Sequence, residues 1–189
     1  MSKRTTRSAV FLDRDGTIIE DVGHITSPRQ VQFFPDTIKA LRFLSRFRLF
    51  IITNQPGVAE GVISRSQLDR VNAFIMEYLA SNGIKIEHIY YCPHARSDGC
   101  SCIKPNPYYI KKAKQDYGLD LARSYVVGDH PHDVIMSQRV GARGIYLLTG
   151  HGQRHRHQVP EGVVILPGIL EAARWILSSG DNVSEDRHA

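Results

Sequence analysis

The chain has 189 residues, 42% hydrophobic and 23% charged, with a net charge of +5, which suits one globular domain with a substantial core. No apolar run approaches the roughly 18–20 residues that span a bilayer, and the run behind the basic N-terminus is cut off by Asp13 before it reaches signal-peptide length, so a cytoplasmic protein without membrane attachment is expected. The positive charge is spread along the chain with no aromatic-interleaved basic stretch, which argues against a nucleic-acid partner and suits a phosphorylated small-molecule substrate.

In chain order, residues 8–13 form a short apolar run ending in acidic residues, which predicts a buried strand with polar chemistry at its C-terminal end. Pro35 opens a helical pattern carrying Ile38, Leu41, Phe43 and Leu44. Residues 49–53 predict a second buried strand, closed by Asn54, Gln55, Pro56 and Gly57. Ser64 caps a helix to about Ala80, with Leu68, Val71, Ile75 and Leu79 on one face. Residues 88–91 predict a third strand, followed by a loop that holds all three cysteines. Pro107 begins a helix, 125–128 make a fourth strand ending at Asp129, 134–140 a helix and 144–148 a fifth strand. A last helix is predicted over 170–177, with Trp175 in its core-facing pattern. Residues 1–180 read as one domain, and the polar end, 181–189, is expected to be disordered.

Strands alternating with helices predict an α/β fold, a single Rossmann-like doubly wound parallel sheet with no large second domain. Such sheets bind ligands at the carboxyl ends of their strands. Asp13, Asp15, Thr53, Asn54, Asp129 and Asp133 all follow predicted strands and converge on one edge.

The run Asp13-Arg14-Asp15-Gly16-Thr17 places two carboxylates two residues apart across a turn that Gly16 eases. A carboxylate can attack phosphorus to form an acyl phosphate, but an anionic nucleophile needs a cation beside a phosphate. Mg2+ takes hard oxygen ligands and binds one or two carboxylates together with substrate phosphate. Asp13 and Asp129 can supply such ligands. Asp15 can protonate the leaving oxygen and then deprotonate the attacking water. Thr53 and Asn54 can donate hydrogen bonds to phosphoryl oxygens, and Lys104 can place a point charge there. Asp133 is expected behind this set, holding the metal ligands or Lys104.

These segments, with Thr53-Asn54-Gln55, Lys104-Pro105 and Gly128-Asp129-x-x-x-Asp133, resemble the four motifs of haloacid dehalogenase-like phosphatases, in the right order over about residues 8–150. The resemblance implies that Asp13 is the nucleophile and Asp15 the acid/base. It also implies that Thr53 and Lys104 stabilise the phosphoryl group, and that Asp13, the Asp15 carbonyl and Asp129 hold Mg2+.

Cys92, His94, Cys100 and Cys102 give three thiolates and one imidazole on one short loop, with five residues between His94 and Cys100. Four N/S ligands with no open position describe a closed structural Zn2+ site, which would fix the loop that leads to Lys104. An odd cysteine count argues against a disulfide framework.

A zinc loop ahead of the motif lysine resembles the compact subgroup that contains D-glycero-D-manno-heptose 1,7-bisphosphate phosphatases and histidinol-phosphate phosphatases, and the pattern is nearer the heptose enzymes. That resemblance implies substrate contacts from Asp21 to His24, from Thr53, Asn54, Gln55 and Pro56, from residues 103 and 104, and from His130. Two positions depart from it: Ile103 stands where these enzymes usually carry Arg, and His130 where the heptose enzymes usually carry Lys. A second substrate phosphate would then need Arg14, Arg65, Arg143 or the His/Arg segment 150–157, which otherwise reads as a solvated basic loop. The expected activity is therefore that of a phosphomonoester hydrolase on a heptose bisphosphate, with histidinol phosphate and, in another class, a nucleic-acid 3'-phosphate as alternatives. An open cleft suits a monomer.

Overall fold

The computed structural model describes residues 8–181. Six strands form one all-parallel sheet in the order β3-β2-β1-β4-β5-β6: β1 Ala9–Leu12, β2 Arg48–Asn54, β3 Ile86–Cys92, β4 Tyr125–Gly128, β5 Arg143–Leu147 and β6 Val164–Leu166. The helices are α1 Thr37–Phe43, α2 Arg65–Ser81, α3 Tyr108–Tyr117, α4 Pro131–Gln138, α5 Gly152–His155 and α6 Ile169–Asp181.

Strand β1 is buried throughout, and its alternation divides the core. Val10 and Leu12 face a cluster with α1, α2 and α6, through Leu41, Val71, Ile75, Ala173 and Ile176. Ala9 and Phe11 face the other cluster, with α3 and α4, through Ile110, Ala113 and Met136. On that face Phe11, Phe50, Tyr90 and Tyr109 stack in series, with ring centroids 5.2, 6.3 and 5.0 Å apart. The doubly wound α/β architecture expected from the sequence is the one observed.

Local chemistry accounts for the boundaries. Ser64 and Gln67 form a reciprocal capping box at the start of α2, with N–H to side-chain distances of 3.2 and 2.7 Å. Pro131 occupies the first turn of α4, which therefore begins at 131 rather than 134. Helix α1 begins at Thr37, two residues beyond Pro35, and Phe43 ends it in an exposed position rather than on the apolar face. Trp175 packs partly buried against the core, edge-on to Tyr125.

Other parts of the chain also differ from expectation. Segment 164–166 adds a sixth strand beside β5, and the basic segment after β5 is not a plain loop but holds α5 and a further 3-10 turn, Arg156–Gln158. Helix α6 continues through Asp181, past the expected end at 177 and into the first residue of the expected tail; the rest of that tail, 182–189, lies outside the described residues. No helix among the described residues is long and apolar enough to cross a membrane.

Candidate active site

The chain reverses direction across the sheet at β1, which has β2 on one side and β4 on the other. A crevice opens there at the carboxyl ends. It is lined by Asp13, Asp15, Asp21, Thr53, Asn54, Arg96, Lys104, Asp129, His130, His132 and His151, and encloses about 170 Å³.

Asp13 follows β1 and is anchored by its N–H to the Val127 carbonyl, 2.9 Å away. Lys104 is buried between two carboxylates, its Nζ 2.7 Å from Asp13 Oδ1 and 2.8 Å from Asp133 Oδ1. Burial alone would depress the lysine pKa, but the two ion pairs outweigh it and hold it above the ordinary value. Asp133 thus holds Lys104, and its other oxygen accepts from the His130 N–H at 3.2 Å.

Oxygens of Asp13, Asp129 and Asp133 lie within 4.8 Å of one another. With Lys104 as their one ion-paired cation, the ionised set is two charges short of neutrality. Burial, with Asp133 and Asp129 as like-charged neighbours, pushes the Asp13 carboxyl well above the usual range against the pull of Lys104. Burial and Asp133 raise Asp129 to about 6. Such a cluster of buried hard oxygens with elevated pKa values fits a divalent cation.

Asp129 is also wedged in place. A Cβ on either Gly16 or Gly150 would come 2.2 Å from its Oδ2, and both glycines have positive φ, +79° and +50°. The same oxygen accepts from the His151 N–H at 2.7 Å.

Asp15 is held differently. Arg14, fully buried, grips it with Nε at 2.9 Å and Nη2 at 3.0 Å, and its remaining nitrogen reaches Asn72 of α2. Gln55 Nε2 and Thr53 Oγ1 also donate to Asp15 Oδ2, at 2.9 and 3.2 Å. Asn54 Oδ1 accepts from the Lys104 backbone N–H at 3.0 Å, which ties the lysine loop to the end of β2, and the amide nitrogen is the end of this side chain that can donate.

The sequence-derived substrate set is only partly gathered. Asp21, Thr53, Asn54, Lys104 and His130 line the crevice, whereas His24, Gln55 and Ile103 do not. His24 packs over Gly57, Gln55 lies behind Asp15, and Ile103 is half-buried away from the crevice. Of the arginines considered for a second phosphate, Arg14 is committed to Asp15, and Arg65 lies over the Tyr91 ring outside the crevice. Arg143 opens β5 at the opposite end of the sheet. From the basic segment, only His151 reaches the crevice, with its Nε2 2.8 Å from Asp21 Oδ2. Arg96 and His132 also line it and were not singled out by the sequence; an arginine between metal-ligand positions and a histidine in a helix's first turn carry no local signal of convergence.

Burial and neighbouring positive groups lower both His130 and His132 to about 4; after burial, His155 contributes most at His130 and His130 most at His132.

The Cys/His loop closes on itself beside the crevice. Sulfur separations are 3.5 Å (Cys92–Cys100), 3.2 Å (Cys92–Cys102) and 3.6 Å (Cys100–Cys102), and His94 Nδ1 lies 3.6 and 3.3 Å from Cys92 and Cys102. A tetrahedral zinc with its usual bond lengths sets ligand–ligand edges of about 3.5–3.8 Å; three of these separations match and two fall a few tenths of an ångström short, so a small outward shift lets the four atoms hold one ion. The thiols are free.

A HAD-hydrolase-like family model matches residues 101–172. The chain is 32% identical over 176 residues to the D-glycero-beta-D-manno-heptose-1,7-bisphosphate 7-phosphatase of Pseudomonas aeruginosa, covering 91% of this chain and 99% of that one. It is 38% identical over 122 residues to a probable D-glycero-D-manno-heptose-1,7-bisphosphate 7-phosphatase of Thermoplasma volcanium, covering 64% and 84%. The D,D-heptose 1,7-bisphosphate phosphatase of B. bronchiseptica, crystallised with magnesium and phosphate, superposes with a TM-score of 0.85 at 28% identity, covering 91% and 99%.

Proposed function

The chain belongs to the haloacid dehalogenase-like phosphatases, and from that premise we propose that it removes the 7-phosphate of D-glycero-D-manno-heptose 1,7-bisphosphate through an aspartyl-phosphate on Asp13. The observation that carries the chemistry is Asp13 at the end of β1, 2.7 Å from Lys104 and within the Asp129 carboxylate cluster. Relatives with that activity, matched over 88–99% of their own length, support the substrate.

Asp13 and Asp129 would hold Mg2+ with the Asp15 carbonyl; bound there, the ion neutralises the carboxylates and polarises the phosphoryl group. A free Asp13 oxygen attacks phosphorus as the bond to the sugar oxygen breaks, and Asp15 delivers a proton to that oxygen. Lys104 donates to the phosphoryl oxygens as charge builds on them, and the Thr53 hydroxyl, which donates to Asp15 Oδ2 in this structure, would turn its one proton to them once substrate is bound. In the second half, Asp15 takes a proton from water, the water oxygen attacks phosphorus, and the bond to Asp13 breaks to release phosphate. Arg14 grips both Asp15 oxygens and so fixes the orientation of the carboxyl through both halves. Asp21 and His130 would contact the sugar.

Cys92, His94, Cys100 and Cys102 would hold a structural Zn2+ that fixes the approach to Lys104. A thiolate site and a doubly phosphorylated metabolite both suit the cytoplasm. We take 1–180 as one catalytic domain, acting as a monomer.

The test is phosphate release with Mg2+ from the heptose bisphosphate, histidinol phosphate and a 3'-phosphorylated oligonucleotide, compared by kcat/KM. The heptose substrate should lead; a clear preference for either of the others overturns the substrate assignment.

A further inference from the structure

Resting on the phosphatase reading, we propose that Arg96 and His132 form a second anion subsite at the mouth of the crevice, which takes the remote phosphate of a bisphosphate and sets selectivity over monophosphates.

The crevice is small. Ligand pockets usually measure about 300–1,000 Å³, so 170 Å³ takes a phosphoryl group with its ion and leaves the rest of the substrate at the mouth. Of the two Lys/Arg side chains lining it, Lys104 is buried and committed to Asp13 and Asp133. Arg96 is exposed, and among the described residues no carboxylate pairs with it. Among the described residues its hydrogen-bond partner is His132, with Nη2 3.4 Å from Nδ1. The guanidinium can only donate, so Nδ1 accepts and the ring proton lies on Nε2. The pair therefore offers guanidinium N–H groups and one imidazole N–H, a donor set for phosphate oxygens.

The position is built rather than incidental. Arg96 begins a 3-10 turn, Arg96–Asp98, between the His94 and Cys100 positions of the cysteine loop. Asp98 closes the turn by accepting from the Ala95 N–H at 2.9 Å, and the Asn106 side chain holds the Cys100 carbonyl at 3.2 Å. His132 comes from the first turn of α4, more than thirty residues away in sequence.

The mouth is also polar in the electrical sense. From Arg96 a row of imidazoles runs His132, His130, His155, His151, with ring centroids 4.4, 4.9 and 5.9 Å apart, and ends at Asp21. One end of the row is cationic and the other carboxylate. A substrate lying along it puts its remote phosphate at Arg96, because Asp21 repels an anion and accepts hydroxyl groups instead.

The experiment compares kcat and KM for two pairs, heptose 1,7-bisphosphate against heptose 7-phosphate and fructose 1,6-bisphosphate against fructose 6-phosphate, in the wild type, R96A and R96K. Wild type should favour the bisphosphate of each pair it hydrolyses. R96A should lower that ratio about 10- to 100-fold, the weight of one charge-assisted hydrogen bond, chiefly through KM, and R96K should recover part of it. Equal losses on both members of a pair, or an unchanged ratio, overturn the subsite. If the heptose pair is not hydrolysed but the fructose pair shows Arg96-dependent discrimination, the heptose assignment falls and the subsite stands. A wild type indifferent to the second phosphate in both pairs removes the subsite and leaves the phosphatase chemistry in place.

Discussion

Replacing Lys104 by methionine removes one charge from the centre of the site while keeping the buried stem. The Nζ it deletes lies 2.7 Å from Asp13 and 2.8 Å from Asp133, both largely buried. Removing one partner of a buried ion pair costs about 3–5 kcal/mol, because the remaining charge is left without compensation. In a domain of this size each kcal/mol moves Tm by about 2–4 °C, so the metal-free variant should melt about 6–20 °C below wild type at pH 8. The sign of the pH dependence follows from the carboxyls left behind. Asp13 is already held well above the ordinary carboxylate range and loses the lysine's pull, so its folded pKa rises further above the unfolded one; the penalty is fully present above the folded value and fades as pH falls toward the ordinary carboxylate range. Calorimetry of both proteins without metal at pH 8 and pH 5.5 should therefore show a gap that narrows on acidification. A gap of similar size at both pH values, or none at pH 8, would refute the view that Lys104 is there to balance Asp13 and Asp133.

Asp13→Asn should abolish phosphate release while circular dichroism and Tm stay near wild type; retained turnover would sink the aspartyl-phosphate route. Mg2+ affinity, read as a thermal-shift titration, should weaken as pH falls through about 6, because the raised Asp129 carboxyl then binds a proton that the cation must displace; a flat profile from pH 8 to 5 would remove Asp129 from the ligand set. Elemental analysis of protein purified without chelator should give one zinc per chain, lost in Cys102→Ser together with several degrees of Tm; a zinc-free, fully stable wild type contradicts the structural-zinc assignment.

The parts of this molecule legible in its sequence are those whose signal is local. Strands β1, β2 and β4 are short apolar runs ending in Asp, Asn or Gly-Asp, and helix α2 announces itself through Ser64 and Gln67. The zinc-type loop is written in the spacing of Cys92, His94, Cys100 and Cys102. Strand β6 carries a weaker signal: its apolar run lies between Gly162 and Pro167, but it is three residues long and only half-buried at the sheet edge. Residues 24, 55 and 103 were placed by resemblance, and resemblance transfers position along the chain, not direction in space. Gln55 turned out to brace Asp15 from behind. Arg96 shows the opposite failure, since nothing near it in sequence tells that the cysteine loop folds it over the first turn of α4.

The wedging of Asp129 between Gly16 and Gly150 bears on how this protein can change over time. Any side chain at either glycine strikes the same carboxylate oxygen, so the two positions share a single failure, and once one is substituted the other has little left to lose. Drift can then reshape the mouth of the crevice, where Arg96, His132 and Asp21 project, while these two loops are frozen together. New substrate preferences in descendants of this chain are expected at the rim, with the floor inherited unaltered.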